Sequence, residues 1–393
     1  MNAIKDSIHD YVSLGEIAVD LLDTPVVQRL RHIKQLSTVR LVYPSASHSR
    51  FEHSLGVYHL AKRALDQLDG VDPDGDRARH VRAAAILHDT GHGPYGHQTE
   101  EIIRRRTGVD HDETGWLLGD ESRPVHETLL DHGLDPARVA TLIRGEGALG
   151  GLISGELDVD RMDYLVRDAH HTGVPYGTID HDRLVRELRL ADGEVVLRDG
   201  NLATAESLLV ARSLMNATVY RHHVSRIAGA MLERACESYL SGVDGPSTAE
   251  FRRLADHDLL VALRDHTPAL GRRIEQRDLY KRALWTGLDE VPAGVVDVTH
   301  EDERTAEREI AERADIEPRS VIVDVPPRPG LKESATSIFV DGSPERLEDA
   351  SGLVSALRAG ERARWRLGVY CPEPLVETVT PVAKDVLGLR SLA

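Results

Sequence analysis

The sequence predicts a mainly α-helical fold with one small β-hairpin and a C-terminal α+β subdomain. Three observations carry that expectation. Apolar residues recur every three or four positions through most of the chain up to Arg277. A short alternating stretch from Leu184 to Asp199 turns at Asp192-Gly193, a hairpin signal. Beyond Val291, three runs rich in β-branched and aromatic residues are separated by helical patterns.

Taken in order, Gly15 to Leu36 reads as helix, with Ile17, Leu21, Val26, Leu30 and Ile33 on one stripe and a restart at Pro25 after the capping pair Asp23-Thr24. A turn at 43–47 leads to a second helix from Arg50 to Leu68, and a Gly/Asp/Pro-rich linker spans Asp69 to Asp76. The apolar run Val81 to Leu87 delivers the doublet His88-Asp89, and another helix covers Gln98 to Arg106. Residues 108–123 are polar and irregular and read as a surface loop; helices open at His126 and Pro136. A Gly-rich break at 145–151 precedes a helix carrying Asp158, Asp160 and Asp163. After the hairpin, one long helix is expected from Leu202 to Leu240, then shorter ones to Arg277. The C-terminal part offers a charged helix from Glu301 to Ala314 with a solvated acidic face, strands at 321–325, 337–340 and 365–370, and a helix near 347–358. We place a catalytic core at 1–286 and the small subdomain at 287–393.

Composition narrows the function. With 393 residues, 41% hydrophobic and 29% charged, the chain is of ordinary globular make-up. No apolar run is long enough to span a bilayer and the first residues lack a signal peptide's regions, so no membrane association and a cytoplasmic location are expected. The net charge of −17 argues against broad nucleic-acid binding. Acidity combined with scarce lysine suits concentrated salt, a halophilic setting. The two cysteines, Cys236 and Cys371, are isolated and read as buried small residues.

Adjacent His88 and Asp89 can share one metal ion, since neutral imidazole and carboxylate both ligate divalent first-row metals. The small residues that follow let the backbone bend and bring His92 and His97 back over the doublet. His53 stands at the start of the second helix and Asp160 on a later one. Should His53, His88, Asp89 and Asp160 converge, they form a two-His, two-carboxylate site suited to Mn, Fe, Ni or Zn rather than Ca. Two carboxylates neutralise the ion and leave Lewis acidity for a phosphate.

The strings RFEHSLGV (50–57), LHDTGHGP (87–94) and LDVDRMDYLVRDAHHTG (157–173) resemble the HD-domain phosphohydrolase superfamily, and more narrowly the deoxynucleoside triphosphate triphosphohydrolases of the SAM-and-HD-domain type. The resemblance runs from about Asp6 to Trp285, and more weakly through the final strands, and includes no SAM domain. It implies an HD-domain helical core and metal-dependent hydrolysis of dNTPs to deoxynucleoside and triphosphate. It also implies metal ligands His53, His88, Asp89 and Asp160. His97 would be the proton donor, supported by His126 and Glu100, with His92 against the phosphates. Arg50, Arg161 and Arg212 would surround the triphosphate. Gln35, Leu36, Tyr164 and Asp168 would surround the sugar, and Tyr220 would stand near sugar and base. A divalent transition metal is implied, with Mg on the substrate phosphates, as are a homo-oligomer (dimer or tetramer) and a nucleotide effector held near Asp23, Gln28 and Arg31. Glu100 is one methylene longer than the aspartate usual there, and Asn216 replaces a histidine. The competing expectations are another nucleotide, a phosphodiester in single-stranded nucleic acid, or a nucleotide sensor without turnover. The doublets His170-His171 and His222-His223 read as packing or helix-end residues.

Overall fold

The computed structural model describes residues 2–191, 193–330, 337–340 and 343–389. Its centre is the helix Arg50–Leu65, which packs on Asp76–Leu87 and on Val159–Thr172. Ser49 starts it with a reciprocal capping box to Glu52. Most of its residues are buried, because helices cover it on several sides. These three helices deliver His53, the His88-Asp89 doublet and Asp160 to one place. The main apolar core extends from Val12 to Val219 and takes in Ile338, Leu347 and Val354. A second core joins His97–Thr107 to His223–Leu240, and a third lies within the C-terminal part.

The mainly helical expectation holds, with specific corrections. The Gly15–Leu36 segment is three pieces, Glu16–Leu22, Pro25–Arg29 and a short 3-10 turn at Leu30–His32. It ends there because Ile33 turns extended and Lys34 bridges Ser49. The expected long helix is Leu202–Met215, a π-turn at Asn216–Tyr220, and His223–Leu240. His222 restarts it by accepting the Val224 amide, which is what its place in a doublet suggested.

The hairpin consists of Leu188–Ala191 and Glu194–Leu197; Asp192 lies outside the described residues. Leu197 pairs in parallel with Ile338, so Ser337–Val340 and Ser343–Arg346 extend that hairpin. A second sheet has Arg366–Cys371 in the middle, flanked antiparallel by Lys281–Gly287 and Ile322–Asp324. Elements that escaped the sequence pattern include the hairpin Ala3–Asp6/Asp10–Ser13, the helix His181–Arg186, the strands Lys281–Gly287 and Ser343–Arg346, and the helix Val376–Val386. The hairpin strands span four residues each, too few for periodicity to show, and Pro381 interrupts the helix pattern.

Residues 108–123 also differ from expectation. Gly115–Leu118 is a helical turn with Leu117 and Leu118 buried, and it brings the preceding residues inward.

The acidic face of His300–Arg313 is only partly solvated. Glu307 is buried and accepts the Val323 amide and Arg234, while Glu303 accepts the Val325 amide. Burial pushes the Glu303 carboxyl up to about 8. A carboxyl raised on folding binds more protons folded than unfolded, so its effect is a loss of stability as pH rises from about 4.5 towards 8. Glu303→Gln keeps the acceptor and removes the charge. It is expected to match wild type in thermal unfolding at pH 5 and exceed it at pH 8 by on the order of 1 kcal/mol. Equal curves at both pH values would refute this.

Candidate metal and acid-base centre

His53, His88 and Asp89 bring one ligand atom each within 4.8 Å of one another, all three buried. The ring nitrogens are assigned by their partners. His53 Nδ1 donates to Asp163 Oδ2 at 2.7 Å and His88 Nδ1 donates to the Ala85 carbonyl at 2.9 Å. Both rings therefore turn Nε2 towards the site, and these two atoms are 3.3 Å apart. Asp160 Oδ1 lies 2.8 Å from His53 Nε2, which brings the fourth expected group alongside.

Asp89 is held by Arg50, whose Nη1 donates to Oδ1 at 2.8 Å. Burial disfavours the Asp89 charge, yet Arg50 and the neighbouring imidazoles hold its carboxyl well below the usual range. Among the described residues its Oδ2 is buried with no hydrogen-bond partner. Gly96, at φ +53°, makes room for this pair, because a Cβ there would collide with the Arg50 guanidinium.

These residues fit a divalent cation. An unpaired buried carboxylate oxygen and two convergent Nε2 atoms with partnered Nδ1 atoms are donors oriented for a metal. Burial works against a positive His53, but Asp160 and Asp163 push its pKa up to about 10, so a cation entering the site takes the place of the Nε2 proton between His53 and Asp160.

Beside this set, His92, His97, Glu100 and His111 form a second group with ligand atoms within 4.8 Å. His97 Nδ1 donates to Glu100 Oε2 at 2.6 Å, and His111 Nδ1 donates to the other oxygen. Burial would raise the Glu100 carboxyl, but the bonds from His111 and His97 reverse this and hold it well below its usual range. His92 stacks on His111 with ring centroids 3.9 Å apart and lies 4.6 Å from His97. Burial and the Arg50 charge keep His92 neutral. Its Nε2 stands 3.3 Å from Asp89 Oδ1 without the alignment of a hydrogen bond, so it links the two groups. The His97 ring is 66% exposed, its Nδ1 fixed by Glu100.

His111 is a residue that sequence reasoning missed: it is the second imidazole on Glu100, beside His97. His126 Nδ1 is occupied by the Leu118 carbonyl at 2.8 Å, and His126 is not one of the four. His111 lies over Glu100, its backbone N–H and its Nδ1 both donating to Glu100 Oε1.

The expected sugar residues connect in a chain. Asp168 accepts from His48 Nε2 and from the Tyr220 hydroxyl, each at 2.8 Å. The Tyr220 and Tyr164 rings meet edge to face at 6.3 Å. The Gln35 backbone N–H donates to the His48 carbonyl, Gln35 Oε1 is buried without a partner among the described residues, and Leu36 is buried beside it. Arg212 acts electrostatically on both tyrosines. Arg161 is anchored to the Glu156 carbonyl at 2.6 Å. His171 stacks on His48 and His170 sits exposed at the helix end. Arg31 covers the Phe51 ring and donates to Gln28.

The comparisons with known proteins agree with this picture. The HD domain model matches residues 50–168 and the HD associated region matches 179–392. An uncharacterized protein of Methanocaldococcus jannaschii is 33% identical over 96% of this chain and 80% of its own length. The deoxynucleoside triphosphate triphosphohydrolases SAMHD1 of Homo sapiens and Gallus gallus are 27% and 28% identical over 79% and 72% of this chain. The chain spans only 59% and 56% of their lengths. A hypothetical protein from Aquifex aeolicus superposes with TM-score 0.78 at 28% identity, covering 97% of this chain and 99% of that one. A phosphohydrolase from Bacteroides thetaiotaomicron gives 0.75 at 25%, covering 95% and 100%. A helical core with His and Asp clusters able to hold a divalent ion defines the class as a metal-binding hydrolase. The chain belongs to the HD-domain phosphohydrolase family, and within it is similar to the dNTP triphosphohydrolases.

Proposed function

We propose that this protein hydrolyses deoxynucleoside triphosphates to deoxynucleoside and inorganic triphosphate. The observation that carries the reading is the contact between the two groups: His92 joins the donor set around Asp89 to the His97–Glu100–His111 cluster. The activity named for the human and chicken relatives supports it.

In this reading His53, His88, Asp89 and Asp160 hold one transition metal (Mn, Fe, Ni or Zn), with Mg on the substrate phosphates. The ion supplies Lewis acidity to the phosphate and the attacking water. His97 carries a proton on Nε2 for the departing 5′-oxygen, and Glu100 holds its Nδ1–H so that Nε2 faces the substrate. His111, rather than His126, is the second imidazole on Glu100. Arg50, Arg161 and Arg212 contribute positive charge along the triphosphate. Tyr164 and the Asp168–Tyr220 pair, with Gln35 and Leu36, form the sugar side. A homo-oligomer and a nucleotide effector belong to the same reading.

The test is incubation in high salt with Mn²⁺ and each dNTP, each rNTP and a single-stranded oligonucleotide, with products separated by anion exchange. Deoxynucleoside with intact triphosphate is expected, and His97→Ala should lower kcat by roughly 10²–10⁴-fold while Mn²⁺ binding is unchanged. Monophosphate with pyrophosphate would overturn the assigned bond, and cleavage of the oligonucleotide alone would overturn the substrate.

A further inference from the structure

The metal-site reading leaves one buried ionic assembly unexplained. Asp163 contributes no atom to the donor set, yet both its oxygens are saturated. Oδ2 accepts from His53 Nδ1 at 2.7 Å and from Arg167 Nε at 2.8 Å; Oδ1 accepts from His9 Nε2 at 2.7 Å and from Arg167 Nη2 at 2.9 Å. Arg167 in turn reaches Asp6 at 2.9 and 3.2 Å. Asp6 also accepts the Ile8 and His9 amides, both at 2.9 Å, which shapes the turn of the N-terminal hairpin. The side chains of Asp163, Arg167 and His9 are at most 1% exposed.

An ion network of this kind costs desolvation and is weak evidence for stability in itself. Its geometry serves another end. A carboxylate only accepts, so the Asp163 contacts require His53 to carry its proton on Nδ1, leaving Nε2 for the donor set. Asp163 sits at a fixed angle because three further hydrogen bonds, one from His9 and two from Arg167, restrain it. Two of its holders depend on residues 6–9, more than 150 positions away in sequence. His59 stacks on His9 with centroids 4.9 Å apart, and His181 meets its edge.

We propose that the N-terminal hairpin is part of the metal centre: His9 directly, and Asp6 through Arg167, position Asp163, which orients His53 for the ion. His9 and Asp6 are positioning residues and touch neither metal nor substrate. The inference rests on the metal-site reading alone and is independent of which nucleotide is hydrolysed.

The experiment measures Mn²⁺ affinity of the full, metal-stripped chain by titration against the free-ion EPR signal. His9→Leu fills the space and donates nothing, whereas His9→Gln places an amide N–H near the position of Nε2. His9→Leu is expected to bind Mn²⁺ about 10–100-fold more weakly, with His9→Gln within about threefold of wild type. Thermal unfolding of the metal-stripped forms reports any purely structural effect; equal midpoints for the two variants tie the difference to the donor. Asp6→Asn keeps an acceptor for the turn amides but loses the charge on Arg167. It carries the expectation of weaker binding should His9→Leu not fold. Leu and Gln variants of equal affinity, or an Asp6→Asn of wild-type affinity, would overturn the proposal. A wild-type chain that binds no Mn²⁺ would instead overturn the metal-site reading beneath it.

Discussion

Replacing Asp89 with alanine is expected to abolish turnover, by at least about 10³-fold, and also to destabilise the metal-stripped protein by about 3–5 kcal/mol. Two separate consequences arise because the carboxylate has two tasks. Oδ2 is the buried unpaired donor, and Oδ1 is the partner of Arg50, which is itself 2% exposed. Removing the carboxylate strands a guanidinium beneath the Gly96 loop. The double variant Asp89→Ala/Arg50→Leu removes both charges, and should recover most of the stability and none of the activity. Urea unfolding of the metal-stripped forms and product analysis separate the two effects. An Asp89→Ala enzyme that unfolds with wild-type stability would show that Arg50 does not depend on this pair. Turnover within tenfold of wild type would remove Asp89 from the proposed chemistry.

Gly56→Ala carries the second large expectation, with a sign that intrinsic propensity gets wrong. In a helix interior alanine is favoured over glycine by about 1 kcal/mol. At Gly56 a Cβ would overlap Asp163 Oδ1 and crowd Arg167, so the methyl group can enter only by displacing the ion pair behind His53. Overpacking of this kind costs about 1–3 kcal/mol, and loosening a buried ion pair costs more. The expected result is a net destabilisation of about 2–4 kcal/mol together with at least tenfold weaker Mn²⁺ binding. Gly352 is the control, since among the described residues a Cβ there meets nothing within 4 Å at the start of the helix Gly352–Arg364. Gly352→Ala should be neutral or stabilising by up to about 1 kcal/mol. A Gly56→Ala protein that gains stability would mean that the helix moves freely away from Asp163.

The donor set was legible for a local reason. His88 and Asp89 are adjacent at the end of an apolar helical run, and His53 and Asp160 each lie within one turn of a helix start capped by Ser49 and Asp158. His111 was not legible. It sits in a stretch without periodicity, and its partner Glu100 is on a different element, so nothing near it in sequence marks it. His126, in the first turn of Pro124–Asp131, is held at Nδ1 by the Leu118 carbonyl, a contact that its place in the sequence did not announce. The acidic run after Thr299 likewise reads as a solvated face until Val323 and Val325 present their amides to Glu307 and Glu303.

The helical class, and His53, His88 and Asp89 as residues that could hold an ion, were legible in the sequence, because periodicity and adjacent ligands act within a turn or two of backbone. Tertiary structure alone decided which imidazole faces Glu100, and that Asp89 is shared with Arg50. It also decided that a hairpin at residues 3–13 reaches Asp163, 154 positions from His9. Buried charges must find their partners wherever the chain packs them, and no local rule carries that information across such separations.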